Sequence, residues 1–325
     1  MQRRSIAAAL ALAGLVAAAP VAVHAQAFPS RPIKLVIPFG PGSGTDTIAR
    51  ALGEQLSSQL GVPVVPENRE GAGGVIGTQQ ALRAPADGYT IVMVSNALTI
   101  APQLYVQPPF DPVADVTPIA KAAAMPLSFA VSAKSPFKSL REVIDFAKAN
   151  PGKLSFATSG KGSQSQLEVE YIKQVFNVQM TDVPYKSVGQ AMTDLISDTV
   201  SFYFPIFPGA QAQMKSGNVR VLAVGSSKRV ASSPDVPTFI EALNMPGYVP
   251  AAWFGLAAPK GTPPEVVRRL SDETLKALAA PRLRERLEGM GAEVTPQPSA
   301  EFGAEIRAEQ EKWTKVIAPL NLKTQ

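Results

Sequence analysis

The sequence predicts an α/β protein of two lobes, each a mostly parallel sheet flanked by helices, with two hinge crossings between them. Short β-branched runs alternate with helical patterns along the chain, as βαβ units require. Two Gly/Ser-rich loops fall at matching places, one in each half, where a strand pattern gives way to a helix pattern. A late apolar run over residues 252–258, stopped by Pro259, reads as a strand that returns the chain to its first lobe.

In the first lobe, residues 34–39 read as a strand and 46–60 as a helix, with Ile48, Leu52 and Leu56 recurring on one helical face. Residues 62–65 form a second strand, 72–81 a helix and 90–94 a third strand, the β-α-β-α-β order of a doubly wound unit. A second set begins near Leu127. Strands over 128–131 and 154–157 flank a helix over 140–149 that Pro151 and Gly152 end. A helix over 166–176, a strand over 181–183, a helix over 188–196 and strands over 200–204 and 219–224 follow. The tail over 263–320 is helical, with Thr262 as N-cap before Pro263 and with Phe302, Ile306, Trp313 and Ile317 on one apolar stripe. The expected division is a leader over 1–27, lobe 1 over 28–126 plus 252–325, and lobe 2 over 127–251.

The leader follows from Arg3 and Arg4, which precede an uncharged run over residues 6–23 and the small residues Ala25-Gln26-Ala27. That is the anatomy of a signal peptide, cleaved after Ala27 or, alternatively, Ala25. Sec and twin-arginine export both fit, and the expected location is the periplasm. The chain has no Cys, and its one histidine, His24, falls inside the leader. A mature protein without either residue cannot build a Ser-His-Asp triad, a Cys-His dyad or a disulfide, and is expected to use no metal and no cofactor. The 31 basic residues less Arg3 and Arg4 leave 29 against 26 acidic ones, a dispersed charge of +3 that points to no nucleic-acid partner.

The first loop runs Pro38-Phe39-Gly40-Pro41-Gly42-Ser43-Gly44-Thr45-Asp46, and the second Thr158-Ser159-Gly160-Lys161-Gly162-Ser163-Gln164-Ser165. Glycines let several backbone N–H groups converge, and the following helix adds the positive end of its dipole, so each loop can hold an anion without a fixed cation. The hydroxyls of Ser43, Thr45, Ser159, Ser163 and Ser165 can donate to a carboxylate. Equally, such loops join strands to helices in many α/β proteins. Asp46 either compensates the helix dipole or orders a ligand, and Tyr185 either reaches the cleft mouth or lies on the surface. A dinucleotide fingerprint fails because the sixth position counted from Gly40 is Thr45. A serine hydrolase would need Ser163 with Lys161 or Lys186 as base, without any G-x-S-x-G motif.

Several ordered segments carry a family resemblance: Arg31-Pro32-Ile33-Lys34-Leu35-Val36-Ile37-Pro38-Phe39, Glu67-Asn68-Arg69 before Gly71-Ala72-Gly73-Gly74, and Pro85-Ala86-Asp87-Gly88-Tyr89-Thr90. Later come Asn150-Pro151-Gly152-Lys153-Leu154, Val183-Pro184-Tyr185-Lys186, Pro234-Asp235-Val236-Pro237-Thr238 and Trp253-Phe254-Gly255-Leu256. Over essentially the whole mature length the chain resembles the substrate-binding receptors of tripartite tricarboxylate transporters, the Bug or TctC-like family. The resemblance implies a type II periplasmic-binding-protein fold and a monomeric receptor, not an enzyme. Such a receptor captures a small carboxylate, a di- or tricarboxylate or an aromatic acid, and hands it to integral-membrane permease subunits. Service to a membrane sensor is the alternative. It implies a site made of Phe39, Gly40, Gly42, Ser43, Gly44, Thr45 and Asp46 from one loop and Thr158, Ser159, Gly160, Gly162, Ser163 and Gln164 from the other. Ser95, Asn96, Tyr185, Phe204 and Pro205 would complete its wall. The chain departs from the family pattern at Gly40, where the family loop is richer in proline, and where a histidine is replaced by Gln166 and a glycine by Ser187.

Overall fold

Residues 33–37 carry four apolar side chains in five positions, and all four are buried as strand β1 (Ile33–Ile37), while Lys34 reaches water. It passes through the first glycine loop into α1 (Gly44–Leu60), whose face of Ile48, Leu52 and Leu56 is fully buried. Strand β2 (Val64–Asn68), α2 (Val75–Leu82) and β3 (Thr90–Ser95) complete the unit, with β2 and β3 both parallel to β1. The computed structural model describes residues 28–323 except Lys161 and Lys186, so the signal-peptide expectation lies outside the described residues. By its contacts the chain divides into Met1–Ser30 and Arg31–Gln325, and both sheets belong to the second unit.

A six-stranded sheet runs in the order β11-β4-β10-β3-β1-β2, where β4 is Val116–Pro126, β10 Ala251–Pro259 and β11 Glu293–Pro298. A five-stranded sheet runs β7-β6-β8-β5-β9, built from Ser128–Ser132 (β5), Ser155–Thr158 (β6), Thr181–Pro184 (β7), Phe202–Tyr203 (β8) and Val219–Val224 (β9). Each sheet mixes parallel and antiparallel pairs, where the sequence pattern predicts a mostly parallel sheet. The reason is that β10, β4 and β11 run antiparallel to their neighbours in one sheet, as do β5 and β9 in the other. The strands that carry the chain between lobes thus break the parallel run.

Both lobes repeat one plan. The first strand of each glycine-loop unit lies between the second and third, β2-β1-β3 in one sheet and β7-β6-β8 in the other. The strand order therefore reverses at β1 and at β6. In open α/β sheets a crevice forms beyond the carboxyl ends of the strands at such a switch point. Each Gly/Ser loop leaves its sheet there, the first into α1 and the second into α5 (Gln164–Phe176).

The two crossings lie side by side. Strands β4 and β10 pair over their full lengths, ending with Ala251 opposite Pro126. Beyond that pair, the Leu127 N–H donates to the Pro250 carbonyl at 3.0 Å and the Gly225 N–H to the Leu127 carbonyl at 2.7 Å. A Cβ on Gly225 would stand 1.7 Å from the Pro250 oxygen, so only glycine lets the three segments meet. Lobe 2 packs around the stacked rings of Phe129, Phe156 and Phe202. Lobe 1 has its own core of Val36, Val92, Val94, Trp253 and Phe302.

On one side the lobes also share a buried surface. Helix α11 (Ser299–Ile317) of the first lobe packs on α5 of the second, and Leu167 joins Ile100, Trp313, Val316 and Ile317 in one apolar cluster. At its edge Lys312 Nζ lies 2.9 Å from the Glu168 carboxylate, which also accepts the Tyr248 hydroxyl at 3.0 Å. Rings of Tyr171, Tyr248 and Trp313 surround the same ammonium, with centroids 4.8, 5.2 and 4.1 Å away. Among the described residues no helix is long and apolar enough to cross a membrane.

Candidate functional site

The two glycine loops fold alike from the Gly42 and Gly162 positions into the helices that follow. Gly42 and Gly162 adopt φ of +80° and +73°, a region that costs a side chain about 1–2 kcal/mol and glycine almost nothing. Ser43 and Ser163 follow as N-caps at nearly identical backbone angles, their hydroxyls accepting from the N–H of Asp46 at 3.1 Å and of Gln166 at 3.4 Å. Behind each cap, the third helical residue reaches back to the loop. The Asp46 carboxylate accepts the Gly42 N–H at 2.9 Å, and the Gln166 side-chain Oε1 accepts the Gly162 N–H at 2.7 Å. In both helices the first two N–H groups, of Gly44 and Thr45 and of Gln164 and Ser165, have no intrahelical acceptor and point out of the helix end.

The two loops differ in where the charge lies. Burial would push the Asp46 carboxyl up, but hydrogen bonds from the Asn68 amide, the Gly42 N–H and Arg50 outweigh it and hold the group below its ordinary range. In lobe 2 the carboxylate stands on the neighbouring strand instead. Gln166 Nε2 and Thr158 Oγ1 each donate to Asp182 at 2.7 Å. This explains the departure at Gln166: an amide can accept from Gly162 and donate to Asp182 at once, with no titratable ring. Ser187 has φ of −138° as N-cap of α6 (Val188–Ile196), an ordinary extended conformation that needs no glycine.

Both helix ends open onto one cavity of about 580 Å3 between the lobes. Thr45 lines it from α1, and Gly162, Ser163 and Gln164 line it from the start of α5. The hinge strand β10 lies between them. The Gly44 Cα faces the Phe254 ring, and Gln164 Nε2 donates to the Ala251 carbonyl at 2.9 Å. Three residues of a strand span only ~10 Å, so the two helix ends meet over a short length of β10. Phe39, Ser95 and Asn96 complete the set of expected residues on the wall.

Other expected residues are elsewhere. Gly40, Gly42, Ser43 and Gly44 shape the first loop without lining the cavity, and Thr158, Ser159 and Gly160 do so for the second. The Asp46 carboxylate accepts from Gly42, Arg50 and Asn68 behind its loop, where it supports the loop, and it does not line the cavity. Tyr185 donates its hydroxyl to Asp194 at 2.7 Å; loss of water and that carboxylate push its pKa up to about 12. Phe204 does not reach the cleft, because its ring is buried in lobe 2 against Phe239, 5.1 Å between centroids. Pro205 is spent on the hinge, its carbonyl accepting the Ser128 N–H and hydroxyl. Lys161 and Lys186, the candidate hydrolase bases, lie outside the described residues.

The rest of the wall carries no local signature in sequence. Ala72, Gly73, Ala97, Ala101 and Ala252 form a smooth apolar lining, and Ile100, Leu104, Tyr105, Phe254 and Leu322 close it. The segments Gly71-Ala72-Gly73-Gly74 and Trp253-Phe254-Gly255 stand among the family-like motifs, whereas nothing marks Leu104 or Leu322. Among the described residues no charged side chain lines the cavity and no cluster of three metal-ligating residues occurs.

Residues 48–322 match the model of the tripartite tricarboxylate transporter family receptor, TctC. The chain belongs to that family. BugT of Bordetella pertussis is 36% identical over 313 residues, 95% of this chain and 94% of that protein. Among solved structures, R. palustris Rpa4515 with adipate is 32% identical at a TM-score of 0.71, covering 89% of this chain and 97% of that one. MatC from Rhodopseudomonas palustris with bound malate is 30% identical at a TM-score of 0.70, covering 89% and 100%. The two-lobed arrangement is accordingly the periplasmic-binding-protein fold, and this family receptor is a binder of solutes, not an enzyme.

Proposed function

We propose that this receptor is exported to the periplasm, takes a small carboxylate into the interlobe cleft, and delivers it to an integral-membrane permease of the tripartite tricarboxylate type. The reading rests above all on one observation: two helix N-termini with matching glycine loops face one cavity that no charged side chain among the described residues lines. Unpaired N–H groups at a helix start, with about half a positive charge from the dipole, favour an anion by roughly 0.3–1 kcal/mol each in exposed settings, up to about 2 when partly buried. The structures of Rpa4515 with adipate and MatC with malate support a carboxylate as that anion. The direct test is mass spectrometry of ligand released from protein purified without denaturation, followed by a thermal-shift screen of carboxylates. Ligand at one hundred times its Kd should stabilise the fold by about 2.7 kcal/mol. Failure of every carboxylate to shift the melt would overturn the reading.

A further inference from the structure

The walls of the cleft say what lies behind the carboxylate. We propose that the ligand of this receptor is a carboxylic acid with an unhydroxylated hydrocarbon body, and that the cleft selects against hydroxylated and tricarboxylic acids. This rests on the carboxylate-receptor reading and narrows it.

Part of the hydrogen-bonding capacity of the cavity's polar side chains is committed to the protein itself. Gln164 Nε2 is held by the Ala251 carbonyl, Ser163 by Ser165 and the Gln166 N–H, and Ser95 Oγ by the Ala97 N–H. Thr45, Asn96, Tyr105 and the O–H groups of Ser95 and Ser163 are then the polar groups left to turn toward a ligand. Apart from the Tyr105 phenol the remaining wall is hydrocarbon: Phe39, Ile100, Leu104, Phe254 and Leu322, with small alanines between them. A hydroxyl or a further carboxylate carried against those hydrocarbon side chains loses its water and finds no partner on them, and no cation stands among the described lining residues.

The size of the cavity agrees. About 580 Å3 lies within the range of roughly 300–1,000 Å3 in which pockets bury drug-sized ligands, more than a four-carbon acid fills. Each CH2 that leaves water for the wall strengthens binding roughly fourfold. Each buried hydroxyl left without a partner weakens it roughly five- to 150-fold. Both effects point to the same class of acid. Leu104 is placed to enforce it, because it lines the cavity and its methyls pack against the Cα of Gly162, where a Cβ would stand 2.3 Å from Cδ1.

Matched acids decide the matter. Calorimetric titration of the mature chain should use succinate against malate and benzoate against 4-hydroxybenzoate, pairs that differ by one hydroxyl, with adipate, heptanoate and citrate alongside. We expect succinate to bind at least tenfold more tightly than malate, benzoate to show the same preference, and adipate to bind roughly fifteenfold more tightly than succinate. The benzoate and heptanoate arms tell an aryl body from an aliphatic one. Leu104→Asn should cut the adipate preference by about tenfold; the wild-type panel decides by itself if that variant does not fold. Tightest binding of malate or citrate, or equal binding within each pair, overturns the inference while leaving the receptor reading intact. Binding of no acid at all removes both.

Discussion

Gly42 and Ser163 show how much of the site is fixed one residue at a time. A Cβ on Gly42 would meet nothing within 4 Å, so a substitution there acts through φ alone. Gly42→Val should cost about 1–2 kcal/mol and Gly42→Asn distinctly less, since asparagine tolerates the left-handed region. Paired thermal melts and ligand titrations of the two variants check this; equal losses would mean that the side chain, not the backbone, matters. Ser163→Ala removes an N-cap and should lower stability by about 1 kcal/mol. If the hydroxyl also donates to the bound carboxylate, affinity should fall by a further ~1.5–3 kcal/mol. Melting without ligand separates the two contributions. Glu309 carries a different kind of signal. Its carboxylate accepts the Trp253 N–H and the Thr99 hydroxyl, both 2.7 Å away on buried residues, and burial pushes its pKa up to about 7 despite those bonds and the nearby Lys312. A carboxyl raised above its unfolded value of about 4.5 adds stability below that pH, which is lost as pH rises through 7. Unfolding midpoints of wild type should therefore fall between pH 4.5 and 7, and Glu309→Gln should flatten that slope. An unchanged slope in the variant would assign it to another group.

At the scale of elements, the glycine loops and the strands beside them were legible because their signals are local. A glycine at positive φ, a capping serine and a helix start lie within five residues of each other, and β1 shows its burial as a continuous apolar run. Nothing in Val116–Pro126 reads as a strand, because alanines, Lys121 and two prolines give no β signature. It becomes one because β10 and β11 pair with it on both sides. Glu293–Pro298, with its own prolines, is tolerated at the sheet edge. The packing of α11 on α5 was equally hidden, since Lys312 and Glu168 are 144 residues apart. Glu168 is nearly fully buried, so Lys312→Met should strand its charge and destabilise by about 3 kcal/mol, the low end for a buried pair because the lysine stays a quarter exposed. Lys312→Met combined with Glu168→Gln should recover much of that loss. Urea midpoints of the two single variants and the double variant measure it, and additive losses would show that the pair does not interact.

For the whole molecule, the plan of two lobes with one glycine loop each can be anticipated from sequence, whereas the apolar wall cannot. Ile100, Leu104, Phe254 and Leu322 converge only through the packing of both lobes and the C-terminal turn. The same long-range packing removed Phe204 from the wall, because an aromatic run reads alike whether it faces a cleft or a core. Among the described residues no charged side chain lines the cleft, and the proposed carboxylate would be met by backbone N–H groups and helix dipoles. The most direct test is calorimetric titration of the mature protein with adipate and, separately, with its neutral diamide, followed by recovery of the ligand. The account predicts saturable binding of one adipate per chain, its return unchanged, and no measurable binding of the diamide. Diamide binding as tight as that of adipate, or conversion of the acid to a product, would contradict it.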